Sequence, residues 1–374
     1  MSGGAVTLNP IAIDARKARD FGIGTYIREL VSALTREPRA VRHRFLLFVR
    51  AEDEELFGDL PENFRRVREN APGYSLSELT LFPLHVRKLR PQLFHATHYV
   101  LPPLLGAPAV VTIHDVIHLL YPQFLPNRLA RHYARAMIGR SLSKARKIIA
   151  VSETTRRDLL AQFSVPPSKI EVISNGVSAK FRPDVPAEEI ARVRAAHKLP
   201  DSYALFVGGE KPHKNVATVI RAFAAALPAV PRLSLVLAGP MPHGKPDLER
   251  TLSSSVRVIG AVPQEELPAL YAGALFLLHP ALYEGFGLPV VEAMASGTPV
   301  LASTAPALQE VAGGAALLAD PLDADSLAKE IKELAQDESL RRRCRNLGLA
   351  RAREFSWESA AARTLAVYEE ALET

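Results

Sequence analysis

The chain has 374 residues, 48% of them apolar and 23% charged, with a net charge of +6. That length is long for one core and comfortable for two, and no run of about 18 or more uncharged apolar residues is present to span a membrane. The only cysteine, Cys344, excludes an internal disulfide, and its place in the arginine-rich run Arg341–Arg345 marks it as incidental rather than catalytic.

Residues 1–14 lack the basic region and long apolar block of a signal peptide, so the expected compartment is the cytoplasm. Val6–Ile13 reads as a strand, followed by Asp14-Ala15-Arg16, a glycine loop carrying Gly22 and Gly24, and the helical spacing Tyr26, Ile27, Leu30, Val31, Leu34. Phe45–Val49, Leu93–His95, Ala109–Ile113 and Lys147–Val151 read as further buried strands, each followed by helix-compatible sequence. Such alternation predicts a parallel sheet covered on both faces. A turn at Val172–Val177 and the Pro-bearing stretch Phe181–Pro186 open a second register, with strands at Tyr203–Val207, Leu233–Ala238, Val256–Ile259, Leu275–Leu278 and Pro299–Ala302. The predicted fold class is α/β: two doubly wound Rossmann-like domains, residues 1–180 and 181–356, facing across a cleft, with a last helix in 357–374. Ligands of open α/β sheets bind beyond the carboxyl ends of the strands, where every motif below is found.

Charge is uneven along the chain. Residues 1–182 hold 27 Lys and Arg against 16 Asp and Glu, a balance of +11, whereas the remainder carries −5. The first half is expected to meet something anionic, either a membrane surface or a phosphorylated acceptor; nucleic acid is set aside, because no zinc-finger spacing or RNP-like aromatic motif accompanies the charge. Arg128, Arg131 and Arg135 share one helical face with Leu129, Tyr133, Met137 and Ile138 nearby. Those apolar residues either offer a weak, reversible docking surface for anionic membrane or face the core.

The densest chemistry lies in Glu284-Gly285-Phe286-Gly287-Leu288-Pro289-Val290-Val291-Glu292, where two carboxylates stand eight residues apart across a glycine turn that enters a helix. Backbone N–H groups at such a helix start favour phosphate, and the two carboxylates can accept from hydroxyl groups on either side of it. Gly208-Gly209-Glu210-Lys211-Pro212-His213-Lys214-Asn215 follows the first strand of the second domain and offers Lys214 as a cation. In the first domain, Thr112-Ile113-His114-Asp115 ends a strand and presents His114 as the catalytic candidate, with Asp115 beside it to orient it; His95 and His98 end the preceding strand as weaker candidates. His118 stands i+4 from His114 without a third ligand, so no metal is expected. Asp323-Ala324-Asp325 follows Pro321 and precedes helical sequence, which suits helix capping better than a metal.

The segment from Glu284 to Pro299 resembles the donor motif of the retaining family 4 glycosyltransferases, and the other landmarks agree in order over nearly the whole chain. The resemblance implies a GT-B fold and metal-independent transfer of a hexose from a nucleotide diphosphate sugar to an acceptor hydroxyl, without a resident cofactor. It assigns Glu284 to the transferred sugar, Glu292 to the nucleotide ribose, the backbone of Gly285, Phe286, Gly287 and Leu288 to sugar and phosphate oxygens, Lys214 to the diphosphate, and His114 to the sugar. Gly208 and Gly209 line the diphosphate turn, and Gly22 and Gly24 approach the diphosphate and acceptor. Many members carry arginine where this chain has Gly209, which removes one phosphate contact. The implied partners are a nucleotide sugar, with GDP-mannose first, and a carbohydrate or lipid-linked acceptor of polysaccharide or glycolipid biosynthesis at the inner face of the cell membrane. The last helix would return to the first domain. An NAD-dependent oxidoreductase is the alternative suggested by Gly22 and Gly24, weakened because the third glycine of that fingerprint is missing. A non-catalytic nucleotide-sugar-binding protein is the other.

Overall fold

The computed structural model of the protein describes residues 9–125, 127–209, 211–240 and 254–373. Residues 6–8 of the expected first strand, the Arg128 side chain and Glu210 lie outside the described residues. The chain divides into two compact units, Met1–Gly176 with Ser356–Thr374, and Val177–Phe355.

The first unit holds β1 (Ile11–Asp14), β2 (Phe45–Val49), β3 (Phe64–Arg68), β4 (Leu93–Ala96), β5 (Ala109–Ile113), β6 (Lys147–Ala150) and β7 (Ile170–Val172). They form one parallel sheet in the order β3-β2-β1-β4-β5-β6-β7, in which Ile13 stands beside Leu47 on one side and His95 on the other. Strand β2 is wholly apolar and β5 is apolar but for Thr112, because helices remove both faces from water. Phe82 and Val86 of helix Leu76–Lys88, with Met137, Ile138 and Leu142 of helix Arg128–Lys144, pack on one face against Phe48, Phe94, Val111 and Ile148. Neighbouring residues of a strand point to opposite faces, so His95 leaves that core and meets Tyr368 of the last helix, Trp357–Glu373. This helix packs on helix Phe21–Arg36 and lies along β4, β5 and β6.

The second unit holds β8 (Tyr203–Val207), β9 (Ser234–Ala238), β10 (Val256–Gly260), β11 (Phe276–His279), β12 (Val300–Ser303) and β13 (Leu317–Ala319), all parallel, in the order β10-β9-β8-β11-β12-β13. Helices Val216–Ala226 and Ala324–Gln336 pack together over one face, with Phe223, Ile331 and Leu334 against Phe206, Leu237 and Phe276. Asp323 caps the second of these helices by accepting from the Asp325 and Ser326 amides, both at 3.0 Å.

Three sequence expectations change. Gly22 and Gly24 do not form a loop: both belong to the first turn of helix Phe21–Arg36, and a Cβ on Gly24 would lie 2.4 Å from the Ala18 carbonyl oxygen, so glycine lets the helix start close to the preceding segment. Met137 and Ile138 are buried in the core and offer no outer surface, while Leu129 and Tyr133 are exposed. The strands β3, β7 and β13 extend the sheets beyond the expected set. Arg65, Arg66 and Arg68 make β3 a charged edge strand, a composition that discourages edge-to-edge pairing and hides the strand from an apolar reading.

Candidate functional site

In the second unit, β8 and β11 are hydrogen-bonded neighbours, so the segments leaving their carboxyl ends emerge side by side. Cross-links fix them. The Leu282 amide donates to the His213 carbonyl at 2.8 Å, and Asn215 Nδ2 donates to the carbonyls of Pro280 at 3.0 Å and Pro321 at 2.7 Å. Asn215 adopts a left-handed conformation with φ 61°, which asparagine tolerates better than most side chains. It ends the single turn Pro212–Lys214 and immediately precedes the next helix, without a side-chain capping bond, and the adjoining Lys214 reaches Glu284.

Lys214 Nζ lies 2.5 Å from Glu284 Oε1, and His279 Nε2 approaches the same oxygen at 3.0 Å. Burial opposes charge on Glu284, yet the Lys214 ammonium and the His279 N–H outweigh it and hold the carboxyl far below the ordinary range. Burial pushes the His279 imidazole down despite the carboxylate beside it. A neutral ring donating from Nε2 leaves Nδ1 as a bare acceptor, and that buried atom has no hydrogen-bond partner. Glu284 is therefore an ionised carboxylate fixed from two sides, with a cation attached.

The turn that follows is set by a glycine in the left-handed region. Gly287 has φ 105° and precedes helix Leu288–Ala295; a Cβ there would meet Leu308 Cδ2 at 2.5 Å, so only glycine fits. The Phe286 ring turns into the interior and packs edge-on against Phe355 at 5.5 Å, which leaves its backbone, not its side chain, for a ligand. The helix start carries the partial positive end of the peptide dipoles, and Pro289 removes one amide that would otherwise need a partner. Glu292 sits within this helix, buried, and its Oε2 accepts from the Tyr271 hydroxyl at 2.9 Å. Burial, reinforced by the Glu292 charge, pushes the Tyr271 phenol well above its usual value, so it remains a donor.

Gly208 and Gly209 differ. A Cβ on Gly208 would press the Phe206 ring at 3.1 Å, whereas one on Gly209 would make an ordinary 3.7 Å contact with Pro240.

In the first unit, His114 follows β5 and its Nε2 donates to the Thr97 carbonyl at 2.9 Å. Tyr26 packs edge-on against the ring at 4.8 Å, and burial lowers the imidazole pKa. Asp115 does not orient His114 as expected: its Oδ1 accepts from the Ile117 amide at 3.0 Å and so starts the next turn, leaving orientation to Thr97. His95 is fully buried between the Tyr368 hydroxyl at 2.7 Å and Thr112 Oγ1 at 2.8 Å, with Tyr26 on the other side of Thr112, which makes it a structural link. His98 Nε2 meets the Tyr74 hydroxyl at 3.1 Å. Beside them Arg16 joins Asp14, at 2.6 Å, to Glu78, at 3.0 Å, under the face of Phe82.

The structure thus gathers Lys214, Glu284, Gly285, Phe286, Gly287, Leu288 and Glu292 with Gly208 and Gly209 at one sheet edge of the second unit. It places His114, Gly22 and Gly24 at the carboxyl edge of the first. Sequence reasoning missed His279 and Tyr271, which hold the two carboxylates. A histidine closing an apolar strand five residues before Glu284 was the available signal for the first. Tyr271 had none, since its hydroxyl reaches Glu292 only through the fold. Among the described residues no group of three or more His, Cys, Asp or Glu is placed to hold a metal ion, and no helix is long and apolar enough to cross a membrane.

Comparison with known proteins agrees with this geometry. Residues 22–181 match the model of Glycosyltransferase Family 4, and residues 188–350 match that of Glycosyl transferases group 1. O-antigen chain mannosyltransferase B of Escherichia coli is 34% identical over 292 residues, covering 76% of this chain and 75% of the relative. The MMP alpha-(1->4)-mannosyltransferase of Mycolicibacterium hassiacum is 37% identical over 235 residues, 60% of this chain and 54% of that protein. Among solved structures, sucrose-phosphate synthase from Thermosynechococcus elongatus superposes with a TM-score of 0.75 at 24% identity, covering 97% of this chain and 98% of the other. HepE of Anabaena, solved with UDP-glucose, gives 0.76 at 18% identity, covering 96% and 99%. The two parallel sheets with flanking helices are the GT-B fold.

Proposed function

Because the chain belongs to glycosyltransferase family 4, we propose that it transfers mannose from GDP-mannose to an acceptor hydroxyl with retention at the anomeric carbon, in the assembly of a surface polysaccharide or glycolipid. The observation that carries this reading is the Lys214–Glu284–His279 cluster standing beside the Gly285–Leu288 turn and the buried Glu292. The mannosyltransferase relatives support the choice of sugar.

The acceptor oxygen bonds to C1 as the bond from C1 to the diphosphate oxygen breaks, and the electron pair leaves with the phosphate. The acceptor proton passes to that departing oxygen on the same face of the sugar. Negative charge grows on the diphosphate during this step, and Lys214 with the turn amides stabilises it. Glu284, kept ionised, accepts from the sugar hydroxyls. Glu292, steadied by Tyr271, accepts from the ribose. His114, neutral and anchored through Nε2 to the Thr97 carbonyl, is the catalytic candidate of the first unit. No metal or resident cofactor is invoked, and the nucleotide sugar is a co-substrate. The oxidoreductase reading gives way to family membership.

Transfer of radiolabelled mannose from GDP-mannose, run beside UDP-glucose and other donors, tests the reading: turnover with another donor alone overturns the sugar, and donor binding without transfer or hydrolysis would favour a binding protein. Glu292→Ala is expected to weaken free GDP as much as GDP-mannose, because the lost contact lies in the shared nucleotide half. Calorimetry giving unchanged GDP affinity in the folded variant would remove Glu292 from the ribose.

Gly209→Arg should tighten GDP binding, by supplying a charge-assisted contact of about 1.5–3 kcal/mol. The backbone there has no positive φ, and a Cβ would make only an ordinary 3.7 Å contact with Pro240. Unchanged or weaker GDP binding by the folded variant counts against this loop as the diphosphate cradle.

A further inference from the structure

Helix Glu338–Ala352 carries the arginine run Arg341–Arg345 and packs on helix Leu288–Ala295, the helix that holds Glu292. Cys344, Gly348 and Ala352 recur every four residues on its buried face. A Cβ on Gly348 would lie 3.2 Å from Met294 Cγ, so the two helices approach closely there.

Two arginines of this helix repeat one arrangement. Helix Leu288–Ala295 is closed by Gly297, φ 71°, whose amide donates to the Met294 carbonyl while the Thr298 amide donates to that of Ala293. Arg345 Nη1 donates to the Gly297 carbonyl at 3.0 Å, and a Cβ on Gly297 would come within 2.8 Å of Arg345 Cζ. Helix Pro306–Ala312 likewise ends in a left-handed glycine, Gly313, φ 52°. There Arg351 Nε and Nη2 donate to the carbonyls of Val311 at 2.9 Å and Glu310 at 2.8 Å, and a Cβ on Gly313 would lie 2.7 Å from that Nε. Each glycine therefore serves twice, taking the left-handed cap and letting a cation close on the negative end of its helix.

Both arrangements lead to the site. Thr298 Oγ1 donates to the Tyr271 carbonyl at 2.8 Å, and the Tyr271 hydroxyl donates to Glu292, so the cap that Arg345 closes is joined to the support of that carboxylate. Ser296 Oγ turns back to the Glu292 carbonyl at 2.9 Å. Arg351 reaches the other end of the motif by two routes. The helix it caps carries Leu308, whose Cδ2 fills the space beside Gly287, and its guanidinium stands 4.9 Å over the Phe355 ring that packs against Phe286.

We propose that Arg345 and Arg351 are positioning residues for nucleotide recognition, Arg345 holding Glu292 at the ribose and Arg351 holding the Phe286–Gly287 turn at the diphosphate. This role rests on the reading of Glu292 and the turn as the nucleotide site, and it extends that site to a helix whose Arg345 lies 48 residues past Gly297. A small ligand gains affinity when the groups that meet it are fixed before it arrives, since ordering them on binding subtracts from the contact. The two guanidiniums supply that order through backbone carbonyls.

Calorimetry of GDP and UDP binding to the full chain tests the role, with Arg341→Ala as the reference. Arg341 Nη1 donates to the Leu334 and Ala335 carbonyls at 2.6 and 3.0 Å, so its loss uncaps helix Ala324–Gln336, which holds no group of the site. Arg345→Ala and Arg351→Ala should each weaken the nucleotide that binds by about threefold to fivefold, the scale of one cation at a helix carboxyl end. In Arg345→Ala the change should fall on the donor KM with kcat little altered, because a ribose contact is the same in the ground and transition states. Arg341→Ala should lower the melting temperature without touching affinity. Arg345→Gln and Arg351→Gln, which remove the charge but keep an amide donor, should each lose about twofold. Wild-type affinity in the folded alanine variants, or in both glutamine variants where alanine does not fold, overturns the positioning role and leaves the nucleotide site intact. An equal loss in Arg341→Ala overturns it too, since any loosening of the unit would then suffice. A wild type that binds neither nucleotide overturns the nucleotide reading itself, and this role with it.

Discussion

Lys214→Ala is expected to lower turnover by roughly 10² or more, the usual cost of deleting one electrostatic stabiliser of a developing charge. The ammonium interacts more strongly as the diphosphate departs, so the effect should fall on kcat more than on donor affinity. A second readout follows from the ground state. Lys214 is the largest influence holding the Glu284 carboxyl down against burial. Without it, only His279 remains, and the acid limb of the pH–rate profile should move to higher pH. Near-wild-type turnover would remove the first role, and an unmoved acid limb would remove the second.

Acidification should destabilise the first unit through His95, beginning near pH 6.5. Burial lowers its folded pKa to about 3, with the neighbouring His114 adding in the same direction. The unfolded chain therefore binds a proton between about pH 6.5 and pH 3 that the folded chain refuses, and stability falls as pH falls through that window. The slope from this one group approaches about 1.4 kcal/mol per pH unit. His98 and His114 of the first unit are also depressed by burial and act with the same sign. In the second unit His279 does likewise, and Glu284, held down by Lys214 and His279, adds to the loss as pH falls from the ordinary carboxylate range downward. His95→Gln should lower the melting temperature at neutral pH, since the Tyr368 and Thr112 contacts are disturbed, yet make its decline between pH 6.5 and 4.5 shallower. A decline as steep as in the wild type would place the titration elsewhere.

The sequence carried these strands because Phe45–Val49 and Tyr203–Val207 are continuous apolar runs, and Ala109–Ile113 is apolar but for Thr112, with turn residues beyond them. It did not carry β3, whose three arginines suit an exposed edge, nor the three-residue strands β7 and β13, which are too short to show a period. The two glutamates and Lys214 were legible from a spaced motif. Their supports were not: the Tyr271 hydroxyl and the tether of Asn215 to Pro280 and Pro321 depend on contacts between residues far apart in the chain. Gly24 was legible as a backbone requirement but not as helix, because the crowding against Ala18 that demands it is tertiary.

The return of helix Trp357–Glu373 to β4, β5 and β6 gives the chain an order of assembly. On the ribosome, His95 and Thr112 emerge long before Tyr368, and the whole of Val177–Phe355 is made in between. The nascent first unit must wait with one face of its sheet partly bare, while the second unit, continuous in the chain, can complete its core as it emerges. A stop codon before Trp357 would therefore remove few residues yet strand the amino-terminal half as a holdase client, leaving the carboxy-terminal half folded.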